Sequence, residues 1–221
     1  MRLLRLIVHT RRHPSAILLL AQLAGMVLYP FLERTQFGHY AFNGFGILIL
    51  TFTIRMVRRT PGHTWISVAL AVPIILLLSA QMFFDLPQLQ AWASGLEAFF
   101  YFYAAASLIA YMLEDRRVTT DELFAAGATF TLLAWGFTHL YLVVQALAPG
   151  SFAAAVNPEL PRSWTELNYL SFALLSSTGI GDVIPLTVHA RSLASIEMFV
   201  GVMYLAAVVA RLVGLTMQPH K

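Results

Sequence analysis

The feature that most constrains this chain is a series of apolar segments, each close to 20 residues long, that recur from one end to the other. A membrane-spanning helix needs roughly 20 mostly apolar residues. The segments that meet this length are residues 15–32, 40–57, 64–84, 94–113, 122–147 and 190–215. The pattern predicts an all-α integral membrane protein with six transmembrane helices, and it leaves no room for a separate soluble domain.

The composition agrees with a lipid environment. Only 11% of the 221 residues are charged and 58% are hydrophobic, whereas a soluble domain carries about 25% charged residues. The chain has no cysteine, which excludes disulfides, thiol catalysis and cysteine-bound zinc. No nucleophile–base pair, metal-ligand cluster or phosphate loop is visible in the sequence, so we do not expect an enzyme.

The basic residues are distributed unevenly between the predicted loops. If the N-terminus is cytoplasmic, all but three of the 14 basic residues fall on the cytoplasmic side. The three exceptions are Arg34, Arg162 and Arg191. This positive-inside bias predicts that both termini are cytoplasmic. Because the charge pattern reports orientation, we expect no nucleic-acid partner. The scarcity of lysine relative to arginine suggests a bacterial gene, and hence a multi-pass protein of the bacterial inner (plasma) membrane.

A charged stretch at 114–117 divides the chain into two regions of different character. Residues 1–117 are predicted to form a four-helix transmembrane region. Its fourth span contains no Lys or Arg, so it lacks the charge ladder of a voltage sensor. Residues 118–221 have a different order, which consists of a span, a long outer loop, a half-length apolar segment, a glycine-rich turn and a final span.

The half-length segment begins with a capping box. Ser163 and Glu166 have the S-x-x-E spacing that starts a helix. A helix from Trp164 to Leu175 would be roughly 18 Å long, which is too short to cross a hydrocarbon core of about 30 Å. We therefore expect this helix to enter the membrane and turn back.

The turn that follows this helix contains Gly179 and Gly181, separated by one residue. Glycine adopts positive φ without a steric penalty, and alternating such residues with ordinary ones can point successive carbonyls to the same side. A ring of carbonyl oxygens can replace the water around a cation. One strand offers too few oxygens to surround an ion, so the motif itself predicts several copies around an axis.

The stretch Ser177-Thr178-Gly179-Ile180-Gly181-Asp182 resembles the T-V-G-Y-G-D filter of the potassium channel pore family. The resemblance covers residues 122–215, with the short helix similar to the pore helix and the last span similar to the inner helix. It implies that residues 118–221 form a pore domain. It also implies a homotetramer in membrane lipid that conducts potassium passively. In this reading the carbonyls from Ser177 to Gly181 hold the ions, Asp182 and Tyr169 support the filter mouth, and potassium ions are the only bound species.

Several positions depart from the family pattern. Ser177 replaces Thr, Thr178 replaces Val, Ile180 replaces Tyr, and Ala173 stands where the family has a Glu. These changes leave open a weakly selective monovalent cation channel. More remote alternatives are a membrane carrier, which should show paired broken helices, and a non-conducting membrane scaffold.

The last span offers further candidates. Gly201 is either a hinge of the inner helix or a small residue that permits close packing. Met198, Val202, Leu205 and Val209 share one side, which the resemblance turns toward the pore, where apolar residues can gate by dewetting; helix packing would use the same stripe. Glu197 is expected to be a buried acid bonded to the short helix or to the fifth span, with a proton sensor as the alternative. No soluble ligand and no gating stimulus can be read from the sequence.

Overall fold

The computed structural model describes residues 14–32, 46–47, 49–55, 64–83, 88–114 and 119–216. Two three-residue strands lie on either side of the shortest helix, and residues 46–47 and 49–55 are also helical. The elements are α1 (Pro14–Leu32), α2 (Thr64–Phe83), α3 (Gln88–Leu113), α4 (Thr120–Leu147), β1 (Phe152–Ala154), α5 (Trp164–Leu175), β2 (Val183–Pro185) and α6 (Val188–Thr216).

Among the described residues, four helices are long and apolar enough to cross a membrane, namely α1, α3, α4 and α6. Helix α2 carries a shorter apolar run, Trp65–Gln81. Of the second predicted span, 40–57, only residues 46–47 and 49–55 are described. The domain boundary expected after Arg117 also lies outside the described residues. The helical architecture is therefore observed, with four helices of membrane-spanning length and composition in the described residues, and the total of six spans stays a prediction.

Helix α4 is the central element, and α1 runs parallel to it. The side chain of Asp121 accepts hydrogen bonds from the backbone N–H of Ser15 (3.1 Å) and from its hydroxyl (2.8 Å). Seven residues further along both helices, the Gln22 side chain donates to the carbonyl of Ala128 at 3.4 Å. Both contacts join residues 106 positions apart, as two parallel helices in constant register require.

Helices α3 and α6 run antiparallel to α4. The hydroxyl of Tyr111, near the end of α3, donates to Asp121 at 3.3 Å. The hydroxyl of Tyr204, in the second half of α6, donates to the carbonyl of Ala126 at 2.6 Å. The first turns of α1 and α4 and the last turns of α3 and α6 therefore lie at the same end of the bundle.

Helix α5 is also antiparallel to α4 but extends along only part of it. At its start, Arg162 N–H donates to the side chain of Gln145 at 2.8 Å. Further along, the Ser171 hydroxyl donates to the carbonyl of Ala134 at 2.8 Å. After α5 the chain returns to its starting level, because β2 pairs antiparallel with β1, with Ala153 opposite Ile184. The all-α prediction did not include this strand pair.

Candidate functional site

The start of α5 is fixed by the capping box that the sequence predicts. The Ser163 hydroxyl accepts a hydrogen bond from Glu166 N–H (3.3 Å), and the Glu166 carboxylate accepts one from Ser163 N–H (2.8 Å). The helix runs from Trp164 to Leu175, so its predicted bounds are confirmed. A 12-residue helix that starts at the end of α4 stops about midway along it.

The loop before α5 is organised around Arg162, which is 4% exposed. Its guanidinium donates to the carbonyl of Val156 (3.3 Å) and to the carboxylate of Glu166 (2.9 Å), and its Nε donates to the carbonyl of Leu160 (3.1 Å). A planar guanidinium can serve several carbonyls at once. This arginine therefore folds the loop onto the first turn of α5.

The turn after α5 has an alternating backbone. Ser177 (φ 59°), Gly179 (φ 56°) and Gly181 (φ 80°) are left-handed, and the residues between them are not. Positive φ at the two glycines confirms the prediction from their spacing. The left-handed Ser177 was not predicted, since this conformation costs about 1–2 kcal/mol for a residue with a Cβ.

The turn is attached to the end of α5 through one carbonyl. The oxygen of Ala173 accepts hydrogen bonds from Thr178 N–H (2.9 Å) and Gly179 N–H (3.2 Å). The Thr178 hydroxyl donates to the same oxygen at 3.2 Å. The family pattern has a Glu carboxylate at the position of Ala173. In this chain the Ala173 carbonyl oxygen is the hydrogen-bond acceptor at that position, which the sequence did not reveal.

The other end of the turn is held by the strand pair. The carbonyl of Asp182 accepts from Ala155 N–H at 3.1 Å, next to β1. The Asp182 carboxylate accepts from Val183 N–H at 2.9 Å. Tyr169 is 39% exposed, and within the described part of one chain no hydrogen bond joins it to Asp182. Support of the mouth by this pair stays a prediction.

The turn and one side of α6 are uncovered in the single chain. Residues 177–182 are all exposed, and the apolar side chain of Ile180 is 63% exposed. On α6 the buried residues form one stripe toward α4 and α5, consisting of Ala190, Ala194, Glu197, Gly201 and Tyr204. The residues predicted to face the pore lie on the exposed side, namely Met198, Val202, Leu205 and Val209.

Glu197 is fully buried where α4, α5 and α6 meet. Its carboxylate accepts hydrogen bonds from the hydroxyls of Tyr141 on α4 and Ser171 on α5. The expected hydrogen bond to the short helix or the fifth span is therefore present to both. A carboxylate inside an apolar bundle needs such donors, because burying it unpaired is costly.

Gly201 lies directly against the end of α5. A Cβ at this position would overlap the carbonyl oxygen of Leu175 and would lie 2.8 Å from its carbonyl carbon. Close packing thus accounts for a glycine here, as one of the two alternatives expected. The hinge role stays a prediction.

A buried pair between α3 and α4 was missed from the sequence. Nδ1 of His139 lies 3.1 Å from the carboxylate of Glu97, and both side chains are at most 10% exposed. The ring of Tyr101 packs on His139 at 5.4 Å. His139 is therefore a packed histidine. The sequence signal for its partner was that Glu97 is the one acid of the fourth predicted span.

A half-length helix, followed by a turn of alternating backbone handedness, thus lies between the two long apolar helices α4 and α6. Residues 118–218 match the family described as ion channel, and this match places that region in the pore-loop ion channel family. The matched region is just under half of the chain, and its family consists of transport proteins, not enzymes. The comparisons with curated proteins and with solved structures give no match.

Proposed function

We propose that this protein is a passive cation channel that conducts potassium through a homotetrameric pore. Each subunit contributes the backbone carbonyls from Ser177 to Gly181, which take the place of water around the ion. Helices α4 and α6 and the segment between them form the pore domain, and residues 1–117 form a four-helix transmembrane region.

The observation that carries the proposal is the backbone alternation at Ser177, Gly179 and Gly181. Left-handed residues at every second position turn neighbouring carbonyls toward one side, which gives a ladder of oxygen ligands. The ladder begins where α5 stops, about midway along α4. Irregular backbone at such a depth is tolerated in a membrane only when it is buried in protein or lines a watery cavity.

The proposed assembly follows from what one chain leaves uncovered. Residues 177–182 are exposed, and apolar residues such as Val202 and Val209 on α6 are more than half exposed. Oligomers of one chain usually have closed symmetry, and four copies match the family that the turn resembles. In the tetramer, the exposed side of α6 would line the pore below the filter and provide an apolar gate.

The proposed orientation places both termini in the cytoplasm of a bacterial cell, with six spans in the plasma membrane. Arg211 is at the bundle end that holds the start of α1, whereas Arg162 and Arg191 are at the other end. Trp65 and Trp92 lie near the starts of α2 and α3, and their side chains are 68% and 74% exposed. Tryptophan is enriched at both membrane surfaces, which suits these two positions.

A weakly selective monovalent cation channel is the second candidate. It is favoured by the 63% exposed Ile180 and by a Tyr169 that makes no hydrogen bond to Asp182 within the described part of one chain. A filter held less firmly would discriminate less between potassium and sodium. Permeability ratios distinguish the two candidates.

The test of conduction compares glycines with the same backbone conformation. Gly181 and Gly150 both have φ 80°, and neither meets atoms closer than 3.8 Å when a Cβ is added. Gly181→Ala and Gly150→Ala should therefore carry a similar strain of about 1–2 kcal/mol. We expect Gly181→Ala and Gly179→Ala to abolish potassium flux into liposomes and Gly150→Ala to retain it. Unchanged flux in both filter variants would support a scaffold instead.

A further inference from the structure

We propose that the Thr178 hydroxyl is a specificity-determining brace that holds the filter from behind. This inference rests on the proposed function, because it assigns a role within the proposed filter. Thr178 would act by positioning the carbonyls and not by touching the ion.

The Thr178 hydroxyl is directed toward the end of α5. Its oxygen lies 3.2 Å from the carbonyl oxygen of Ala173, which belongs to the last turn of α5. The Ser176 hydroxyl lies 3.1 Å from the Thr178 hydroxyl and 2.6 Å from the carbonyl oxygen of Phe172. Both hydroxyls are therefore engaged with the last turn of α5.

The acceptor is well suited to collect several donors. The carbonyl of Ala173 lies at the C-terminal end of a helix, where partial negative charge accumulates. It accepts from Thr178 N–H, Gly179 N–H and the Thr178 hydroxyl. Ala173 itself is 7% exposed, so water has little access to compete for this oxygen.

The expected consequence concerns ion discrimination more than folding. Without the hydroxyl, two backbone donors still attach the turn to Ala173, so the chain should fold and assemble. Thr178 and Gly179 would lose one of the three hydrogen bonds that attach them to Ala173, and the Thr178 carbonyl could then move toward a smaller ion. Selectivity depends on cavity size and on the number and strength of the coordinating carbonyls, so sodium should permeate more easily.

The test measures the potassium-to-sodium permeability ratio of the full chain in planar bilayers. Thr178→Val keeps the shape and removes the hydroxyl, and Thr178→Ser keeps the hydroxyl. Thr131→Val is the matched control, because the Thr131 hydroxyl donates to the carbonyl of Gly127 within α4 and not to Ala173. We expect the ratio to fall about two- to tenfold in Thr178→Val, the factor that one hydrogen bond is worth. It should stay within roughly twofold of the native value in Thr178→Ser and in Thr131→Val.

The outcomes separate the brace from the proposed function. A native protein that is potassium selective and a Thr178→Val variant with an unchanged or higher ratio would overturn the brace alone. A native protein without cation current, or with a ratio near one, would overturn the potassium channel and the brace with it. If Thr178→Val does not assemble, Thr178→Ala and Ser176→Ala replace it. Of these, Ser176→Ala should show the smaller fall, and an unchanged ratio in both variants would overturn the brace.

Discussion

The guanidinium of Arg211, near the end of α6, lies 3.1 Å from the carboxylate of Glu122 in the first turn of α4. The neighbouring Asp121 binds Ser15 of α1. Two consecutive carboxylates thus join the first and last described helices at one end of the bundle. This end is the cytoplasmic one in the proposed orientation, where α6 would have to move to open a gate.

The Arg211–Glu122 pair should be energetically coupled. Both side chains are at most 17% exposed, and a hydrogen bond to a charged group is worth about 1.5–3 kcal/mol. We expect Glu122→Gln and Arg211→Gln each to lower the free energy of unfolding in detergent by roughly this amount. The double variant should cost clearly less than the two single changes together. Arg191→Gln combined with Glu122→Gln is the control and should be additive; additivity in both pairs would contradict the coupling.

Substitution of Gly201 should disturb the end of α5. Because a Cβ would overlap the Leu175 carbonyl, Gly201→Ala forces α6 away from α5. Overpacking of this kind typically costs about 1–3 kcal/mol. Gly95→Ala on α3 is the matched control, since its Cβ would meet only Val143 at 4.0 Å. Thermal unfolding of the purified protein distinguishes the two. Normal stability of Gly201→Ala together with altered channel opening would favour the hinge.

Glu197 should stabilise the pore domain without touching the conduction path. Tyr141→Phe and Ser171→Ala each remove one donor to its carboxylate and should lower stability by about 1.5–3 kcal/mol. Single-channel conductance should remain within roughly twofold of the native value, which is less than the effect of one hydrogen bond. The reason is that both substitutions change contacts of Glu197 and not the proposed ion ligands. Ser195→Ala removes an exposed hydroxyl bonded to Arg191 on the same helix and serves as the control. A native pH dependence of conduction that disappears in Glu197→Gln would instead support the proton sensor.

Arg162 should determine the order of the outer loop. Arg162→Lys keeps the charge but cannot serve Val156, Leu160 and Glu166 at once. We expect amide hydrogen exchange in residues 155–161 to become at least about tenfold faster, which corresponds to the loss of one or two hydrogen bonds. Arg191→Lys loses a single exposed contact to Pro185 and should leave this exchange unchanged. Equal exchange in both variants would show that Arg162 does not hold the loop.

The local parts of the site could be predicted from the sequence. The capping box at Ser163 and the length of α5 depend on neighbouring residues, and positive φ at Gly179 and Gly181 follows from the glycine side chain itself. The same holds for the long apolar helices, although α3 starts at Gln88, six positions before its predicted start. Short-range chemistry is enough to determine these features.

The features that the sequence did not reveal depend on contacts between distant residues. The left-handed Ser177, the Ala173 carbonyl as acceptor and the pairing of β1 with β2 all require the turn to be folded against α5 and the outer loop. Likewise, nothing in the sequence around Glu197 identifies Tyr141, 56 positions away, as its partner. Every residue has a backbone carbonyl, so the residue type does not indicate which carbonyl accepts a hydrogen bond.

Potassium selection by the carbonyls from Ser177 to Gly181 can be measured directly as the reversal potential under bi-ionic conditions. Purified protein in a planar bilayer would face potassium on one side and sodium at equal concentration on the other. We expect a reversal displaced by at least roughly 60 mV in the direction of potassium preference, which corresponds to a tenfold permeability ratio. A reversal near zero would contradict potassium selectivity and leave a weakly selective cation pore.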